Sequence, residues 1–314
     1  MDANMNHRLL LRTKEDVDYM WKLYIRDDEK TAKEKLNVVE AWMKEERHLA
    51  EASKYIRRSY LEIMYLLAKG STEATKRRLD KIITMKTLMP EFYGQINMDE
   101  FDKLLQTVLY VLLPKVNPSD RSRISVVKFL TENLDDFQLI TFFRYTAMLA
   151  DYRAHYDFTI HETIILDFTH TSLLSLLGKL NPVLMRKVDI ISTEYGIKIK
   201  GIHIISTSSY IEKLVALLKQ TLRPKVASRL HVHTSYESLY KFVPKEIIPE
   251  DFGGDGMSCA SIAEKWAKEL RTDEVTKVFE DTRKLTSDES KRSTYAFNEE
   301  YLGMPGSFRT LSVD

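Results

Sequence analysis

The sequence predicts an α/β protein, with an amino-terminal helical bundle followed by a mostly parallel sheet covered by helices. Three observations carry that reading. Residues 13–94 repeat apolar side chains three and four apart among interleaved charges. Beyond Pro114, β-branched runs alternate with helical stretches. The 314 residues, 44% of them hydrophobic, are enough to bury a large core.

The first helical stretch presents Val17, Met20, Trp21, Tyr24 and Ile25 at helical spacing, and the next presents Leu36, Val39, Trp42 and Met43. The interleaved acids and bases between Lys14 and Arg58 read as a solvated helical surface. Lys69-Gly70-Ser71-Thr72 breaks the region, with Gly70 placed to close one helix and Ser71 or Thr72 to cap the next. Pro90 and Gly94 end it, so residues 1–100 form the predicted helical domain. Residues 102–113 read as one further apolar helix.

Arg123–Phe129 reads as a strand, residues 134–156 as a helix and residues 161–168 as a strand. Helices around 173–180 and 182–193 lead to a strand at 197–205, a helix at 210–222, a short helix at 224–229 and a strand at 230–233. Strands separated by helices imply parallel pairing. Residues 101–254 are the expected α/β domain. Residues 255–314 are expected as an extension and tail, with Ser258 capping a helix through Ile262, Trp266 and Leu270, and Phe308 and Leu311 docking the end.

Composition narrows the function. Lys and Arg number 47 against 46 Asp and Glu, a balance that argues against a generally basic nucleic-acid protein. A lone cysteine, Cys259, cannot form an internal disulfide and points to the reducing cytosol. Leu9-Leu10-Leu11 is too short for a signal peptide core, and no apolar stretch approaches bilayer length. Membrane contact is therefore expected to be peripheral.

Familiar catalytic motifs do not appear. Thr169-His170-Thr171-Ser172 supplies none of the glycines of a dinucleotide turn, Lys69-Gly70-Ser71 is no phosphate-binding loop, and Gly254-Asp-Gly-Met-Ser258 is no nucleophile elbow. His231-x-His233 places two imidazoles on one strand face without recognisable further ligands. Asp167 reads either as a catalytic acid, alongside His203 or His231 in a hydrolase, or as a carboxylate satisfied by its neighbours.

Between Arg186 and His231 lie nine Lys or Arg and three acids, a local cationic patch in a neutral chain. Lys198 and Lys200 are expected to share one side of a strand by their spacing of two, and Lys225 and Arg229 one side of a helix by their spacing of four. Such a stripe can hold one multiply charged headgroup, and is too small for a nucleic-acid duplex. In the same stretch Tyr210, Ile211, Leu214, Val215, Leu218 and Leu222 form one apolar helix face widened by Leu217. That face either covers the sheet or forms a movable wall over a cavity.

Three segments, in order and spacing, resemble the CRAL-TRIO (Sec14-like) lipid-transfer family, in the branch of cellular retinaldehyde-binding protein, alpha-tocopherol transfer protein and the clavesins. They are residues 60–93 ending in Thr-Leu-Met-Pro-Glu-Phe-Tyr93, then Lys200-Gly-Ile-His-Ile-Ile205 through Leu230-His-Val-His-Thr-Ser235, and finally Pro244-Lys-Glu-Ile-Ile-Pro249-Glu-Asp-Phe-Gly-Gly254. The closing Gly306-Ser-Phe-Arg-Thr-Leu-Ser-Val-Asp314 resembles the tails of insect members. The resemblance implies a non-enzymatic carrier enclosing one hydrophobic molecule, such as a tocopherol, retinoid, carotenoid or other lipid, between a twisted sheet and a gate helix at residues 206–222.

By the same resemblance Lys198, Lys200, Lys225 and Arg229 contact phosphoinositides. Phe143, Thr146, Ala147, Ala150, Ile190, Ile191, Tyr195 and Ile202 line the ligand cavity, and Tyr210, Ile211, Leu214, Val215 and Leu218 close it. The spacing of 143, 146, 147 and 150 independently supports one helix face. Departures from the family pattern are Ile63-Met-Tyr-Leu-Leu-Ala-Lys69 in the helical domain, Ser206-Thr207-Ser208 after the strand, Thr169-His170 after Asp167, and Lys219-Gln220 in the gate, where a missing proline implies a more regular helix.

The expected protein is thus a monomeric cytoplasmic carrier with transient membrane association, partnering a hydrophobic small molecule and phosphatidylinositol phosphates, with no nucleic acid and no cofactor. The alternative is a signalling scaffold on the same fold with a vestigial pocket.

Overall fold

The computed structural model describes residues 7–292, so the tail carrying Phe308 and Leu311 lies outside the described residues. Helix α1 (Lys14–Met20) opens on a reciprocal cap, in which the Thr13 hydroxyl accepts from the Asp16 N–H and the Asp16 carboxylate accepts from the Thr13 N–H. It runs into a π-helical turn, Trp21–Ile25. Helix α2 (Glu29–Glu45) is capped by Asp28, and α3 (Arg58–Leu67) leads to the turn at Gly70. Gly70 has φ 73°, and a Cβ there would sit 2.7 Å from the Ile25 carbonyl oxygen. Glycine is required both by handedness and by the close approach of the π-helical turn.

Ser71 caps α4 (Thr72–Leu88), followed by α5 (Pro90–Tyr93) and, from an Asn97 cap, α6 (Met98–Leu105). The helices bury Leu36, Met43, Leu61, Met64, Ile82 and Ile83 in one core. That core continues through Phe158, Ile191 and Tyr195, so the helical region and the sheet region share a wall.

The sheet contains β1 (Val108–Leu112), β2 (Arg123–Phe129), β3 (His161–Asp167), β4 (Lys198–Ile205) and β5 (Leu230–His233), in spatial order β1-β2-β3-β4-β5. Strand β1 pairs antiparallel with β2, and the other neighbours are parallel. Helices α7 (Leu139–Tyr156), α8 (Leu173–Lys179), α9 (Pro182–Tyr195), α10 (Ile211–Thr221) and α11 (Pro224–Ala227) connect them.

Three boundaries differ from expectation; one is the short helix expected over 224–229, which ends at Ala227 and leaves Arg229 outside the helix, just before β5. The helix predicted over residues 102–113 stops at Leu105, and Val108–Leu112 is a strand. A short apolar run fits either state, and here the free edge of β2 offers a full antiparallel ladder, with Tyr110 opposite Val127. The helix expected from 134 begins at Leu139. Before it, Thr131 Oγ1 accepts from the Asn133 N–H and Asn133 Oδ1 from the Asp135 N–H, local turns that compete with helix.

Ser258 caps α12 (Cys259–Glu269), and Thr272 caps α13 (Asp273–Arg283). Trp266 is fully buried, donates from Nε1 to the Leu112 carbonyl at 3.1 Å, and packs edge-on against Tyr152. Farther on, Arg292 pairs with Asp80 of α4 at 2.9 Å. The extension therefore braces both the sheet edge and the helical region.

Buried histidines set an acid limit, and His7, His155 and His203 all contribute to it. His7 Nδ1 accepts from the backbone N–H groups of Leu9 and Leu10, while Nε2 meets the Tyr152 hydroxyl at 2.6 Å. Burial pushes His7 down to about 4 and His155, whose Nε2 meets Thr282 Oγ1, down to about 3. Each stays neutral when folded, whereas the unfolded chain takes up a proton below about pH 6.5. Stability is thus full above that pH and falls as pH drops toward 4, by about 1.4 kcal/mol per pH unit for each histidine. Denaturant titrations across that window should show the slope, and His155→Leu should reduce it by one histidine's share; an unchanged slope would assign the effect elsewhere.

Candidate functional site

A cavity of about 220 Å³ lies between the sheet, α7 and α9. Its floor follows from strand register: Ser125 pairs with Ile164 and Val127 with Leu166, which places these four on one sheet face. Tyr110 opposite Val127, and Ile199 opposite Glu162, extend the floor to both sides. The α7 roof comprises Phe142, Phe143, Thr146, Ala147, Ala150 and Arg153, while α9 contributes Val188, Ile191, Ser192 and Tyr195. Ala147 and Ala150 occupy the roof where larger side chains would fill the space.

Of the residues assigned from sequence, Phe143, Thr146, Ala147, Ala150, Ile191 and Tyr195 line this cavity. Ile190 lies outside its lining and packs against the core of the helical region, because adjacent helical residues point about 100° apart. Ile202 is buried and pairs with Ile164, on the same sheet face but beyond the lining. Tyr210, Ile211, Leu214, Val215 and Leu218, with Leu217 and Leu222, pack against the main core, and α10 rests on α8 and α9. The α10 face thus backs the α9 wall and does not line the cavity directly.

A polar cluster that sequence reading passed over also lines the cavity. Arg153 Nη1 donates to Glu162 Oε2 at 2.6 Å, Arg153 Nε to Asp157 Oδ2 at 3.0 Å, and Ser125 Oγ to Glu162 Oε1 at 2.8 Å. Asp157 is shared with the fully buried Arg123 at 2.9 Å. Burial alone would raise the Asp157 carboxyl, but Arg123 and Arg153 overcome it and hold it below the usual range. The Tyr110 hydroxyl is pushed up, chiefly by burial and then by the Glu162 carboxylate. The signal was present: Arg153 follows Ala150 by three on the roof helix, and Glu162 precedes Ile164 by two on the floor strand.

The cations converge at the start of β4. Ile197 and Ile199 line the cavity while Lys198 and Lys200 alternate with them. At the register shift opposite Glu162 and Thr163, Lys200 is the residue without a β3 partner, so it does not follow the simple two-residue alternation. Lys198 Nζ stands 4.2 Å from the Tyr24 ring centre, and the Tyr24 hydroxyl meets His161 Nε2 at 2.7 Å. Partial burial, then repulsion from Lys69, Lys200 and Lys225, pushes Lys198 down to about 8.

Lys69, delivered by the α3–α4 turn, is a member of this cluster that only the tertiary structure reveals. Arg229 donates from Nη1 to the Ile199 carbonyl and so ties the start of β5 to β4.

The hydrolase combination does not assemble. Asp167 pairs with Lys128 at 2.9 Å and accepts from Thr169. His203 instead contacts His233 at 3.0 Å, with His231 and Phe242 packed against it. Among the described residues no cluster of three or more His, Cys, Asp or Glu side chains is arranged to hold a metal ion, and no helix is long and apolar enough to cross a membrane.

An apolar cavity roofed by two helices over a mostly parallel sheet, with a few convergent polar groups, has the form of a small-molecule site. The chain belongs to the CRAL/TRIO family, a family of lipid-binding and lipid-transfer proteins: residues 91–254 match the CRAL/TRIO domain. Over 93 residues, 29% of this chain, it is 31% identical to an alpha-tocopherol transfer protein-like protein of Mus musculus and 30% identical to that of Homo sapiens. The match spans 27% of the length of each relative. The solved structure titled "Crystal structure of Sfh5" is similar at 12% identity with a TM-score of 0.45, covering 76% of this chain and 92% of that one.

If charge repulsion sets the Lys198 titration, Lys198 should titrate near pH 8 and Lys69→Gln or Lys225→Gln should move it upward. NMR of reductively ¹³C-methylated protein can follow that resonance. A midpoint unmoved in both variants would leave burial as the whole cause.

Proposed function

We propose that this protein is a cytoplasmic carrier that encloses one hydrophobic molecule and exchanges it at phosphoinositide-bearing membranes, with transient peripheral association. The observation that carries the reading is the shared strand: Ile197 and Ile199 touch the cavity while Lys198 and Lys200 belong to the cationic cluster. A multiply charged headgroup gathered by Lys69, Lys198, Lys200 and Lys225 would relieve their mutual repulsion and pull on the strand that forms part of the cavity floor. On the roof, α9 packs against both α4 and α10, so a pull on the β4 end of the floor would act against a braced wall. Enclosure itself is favourable by roughly 25 cal/mol per Å² of apolar ligand surface removed from water. Relatives named for tocopherol transfer support a lipid-like cargo.

Two measurements test this reading. Ala147→Trp should lower ligand stoichiometry in protein recovered from its natural tissue, measured by organic extraction and mass spectrometry, at a folding cost of about 1–3 kcal/mol. Unchanged occupancy in the folded variant would remove this cavity as the ligand site. Replacing Lys198, Lys200, Lys225 and Arg229 by Gln should weaken cosedimentation with vesicles containing phosphatidylinositol bisphosphate by roughly 1 kcal/mol per charge at low salt, and slow ligand transfer to them. Sedimentation and transfer equal to wild type would reject the membrane assignment.

A further inference from the structure

The carrier reading leaves open what the polar cluster does. Among the described residues that line the cavity, the ionised side chains are one cation, Arg153, and one anion, Glu162. Both are about nine-tenths buried or more, each with 6% of its surface exposed. Glu162 already accepts from Ser125 on one oxygen and from Arg153 on the other, and Arg153 spends Nε on Asp157 and Nη1 on Glu162. Arg153 Nη2 has no hydrogen-bond acceptor among the described residues. The Tyr110 hydroxyl lies in the same cluster, close enough to feel both Arg153 and Glu162.

Deepening that reading, we propose that Arg153, Glu162, Ser125 and Tyr110 form a headgroup subsite that accepts an uncharged oxygen, a hydroxyl or carbonyl at the end of a lipid, and rejects a carboxylate. A neutral oxygen can accept the spare Arg153 N–H as a charge-assisted hydrogen bond, and a hydroxyl can also donate to an unused lone pair of Glu162. A ligand carboxylate would gain the same donor but would sit beside the Glu162 carboxylate in a site shielded from water, where like charges repel strongly. The supporting charges do not offset it. Arg123 and Arg153 together match Asp157 and Glu162, and Arg12, which acts on Asp157, lines a separate cleft. A pure hydrocarbon would leave the cluster without a partner for Nη2. Glu162 is therefore the determinant of charge selectivity, acting on the bound headgroup directly.

The test is equilibrium dialysis of the full chain with radiolabelled dodecanol, dodecanoate and dodecane at about pH 8, where the acid is ionised. Wild type should bind dodecanol at least about tenfold more tightly than either of the others. Glu162→Gln keeps the shape and leaves Arg153 as the single charge facing the ligand, so the ratio of dodecanoate to dodecanol binding should rise at least about tenfold. Tyr110→Phe, which changes no charge, should weaken dodecanol several-fold with dodecane unchanged, and keeps the test available if Glu162→Gln fails to fold. Equal binding of all three probes by wild type, or an unchanged acid-to-alcohol ratio in folded Glu162→Gln, would overturn the subsite and leave the carrier standing. Binding of none of the three would overturn both.

Discussion

The architecture depends on the buried ion-pair chain Arg123–Asp157–Arg153–Glu162. It connects β2, the end of α7 and β3 through contacts of 2.6–3.0 Å with almost no exposure to water. Burying such charges is costly, and removing one partner from a buried pair commonly costs about 3–5 kcal/mol because the other is left alone. The chain is therefore a geometric constraint more than a source of net stability. It holds the carboxyl end of α7 at a set height over the sheet, and a helix held by polar struts need not collapse onto the strands below.

A second cluster works from the other side of the same helix. Asp151 of α7 accepts from Lys86 of α4 at 2.6 Å and from the Tyr195 hydroxyl of α9 at 2.5 Å. Burial pushes the Lys86 ammonium downward against the pull of Asp151. These contacts fix α7 relative to both the helical region and the second roof helix. With the roof braced by the two clusters, Ala147 and Ala150 leave a gap that apolar packing would otherwise close. The core of the helical region is consequently part of the machinery that keeps the cavity open, which explains why it runs without interruption into Phe158, Ile191 and Tyr195.

Charge is distributed to match. The whole chain is nearly neutral, yet three lysines from the α3–α4 turn, β4 and α11 are close enough to depress Lys198. The cavity, a few residues away along β4, is charge-balanced and mostly apolar. One strand thus separates a cationic surface from a charge-balanced, mostly apolar interior. The register shift at Glu162 and Thr163 is where this happens, because it sets Lys200 outside the ladder while Ile199 keeps its place opposite Glu162.

Sequence alone determined the element order, the parallel character of the sheet and the roof face of α7, because these rest on local periodicity, caps and turn residues. Ser71, Ser258 and Gly70 act as their chemistry predicts. The spacing of Phe143, Thr146, Ala147 and Ala150 likewise survives into the cavity wall. Tertiary structure alone decided that Val108–Leu112 is a strand, since a short apolar run is ambiguous until the open edge of β2 supplies a partner. It also decided that Lys69 joins Lys198, that Arg153 faces Glu162, and that α10 backs the cavity without lining it. Each of these joins residues distant along the chain or on different elements, and their meeting is set by long-range packing and the balance of buried charge, which local sequence pattern does not encode.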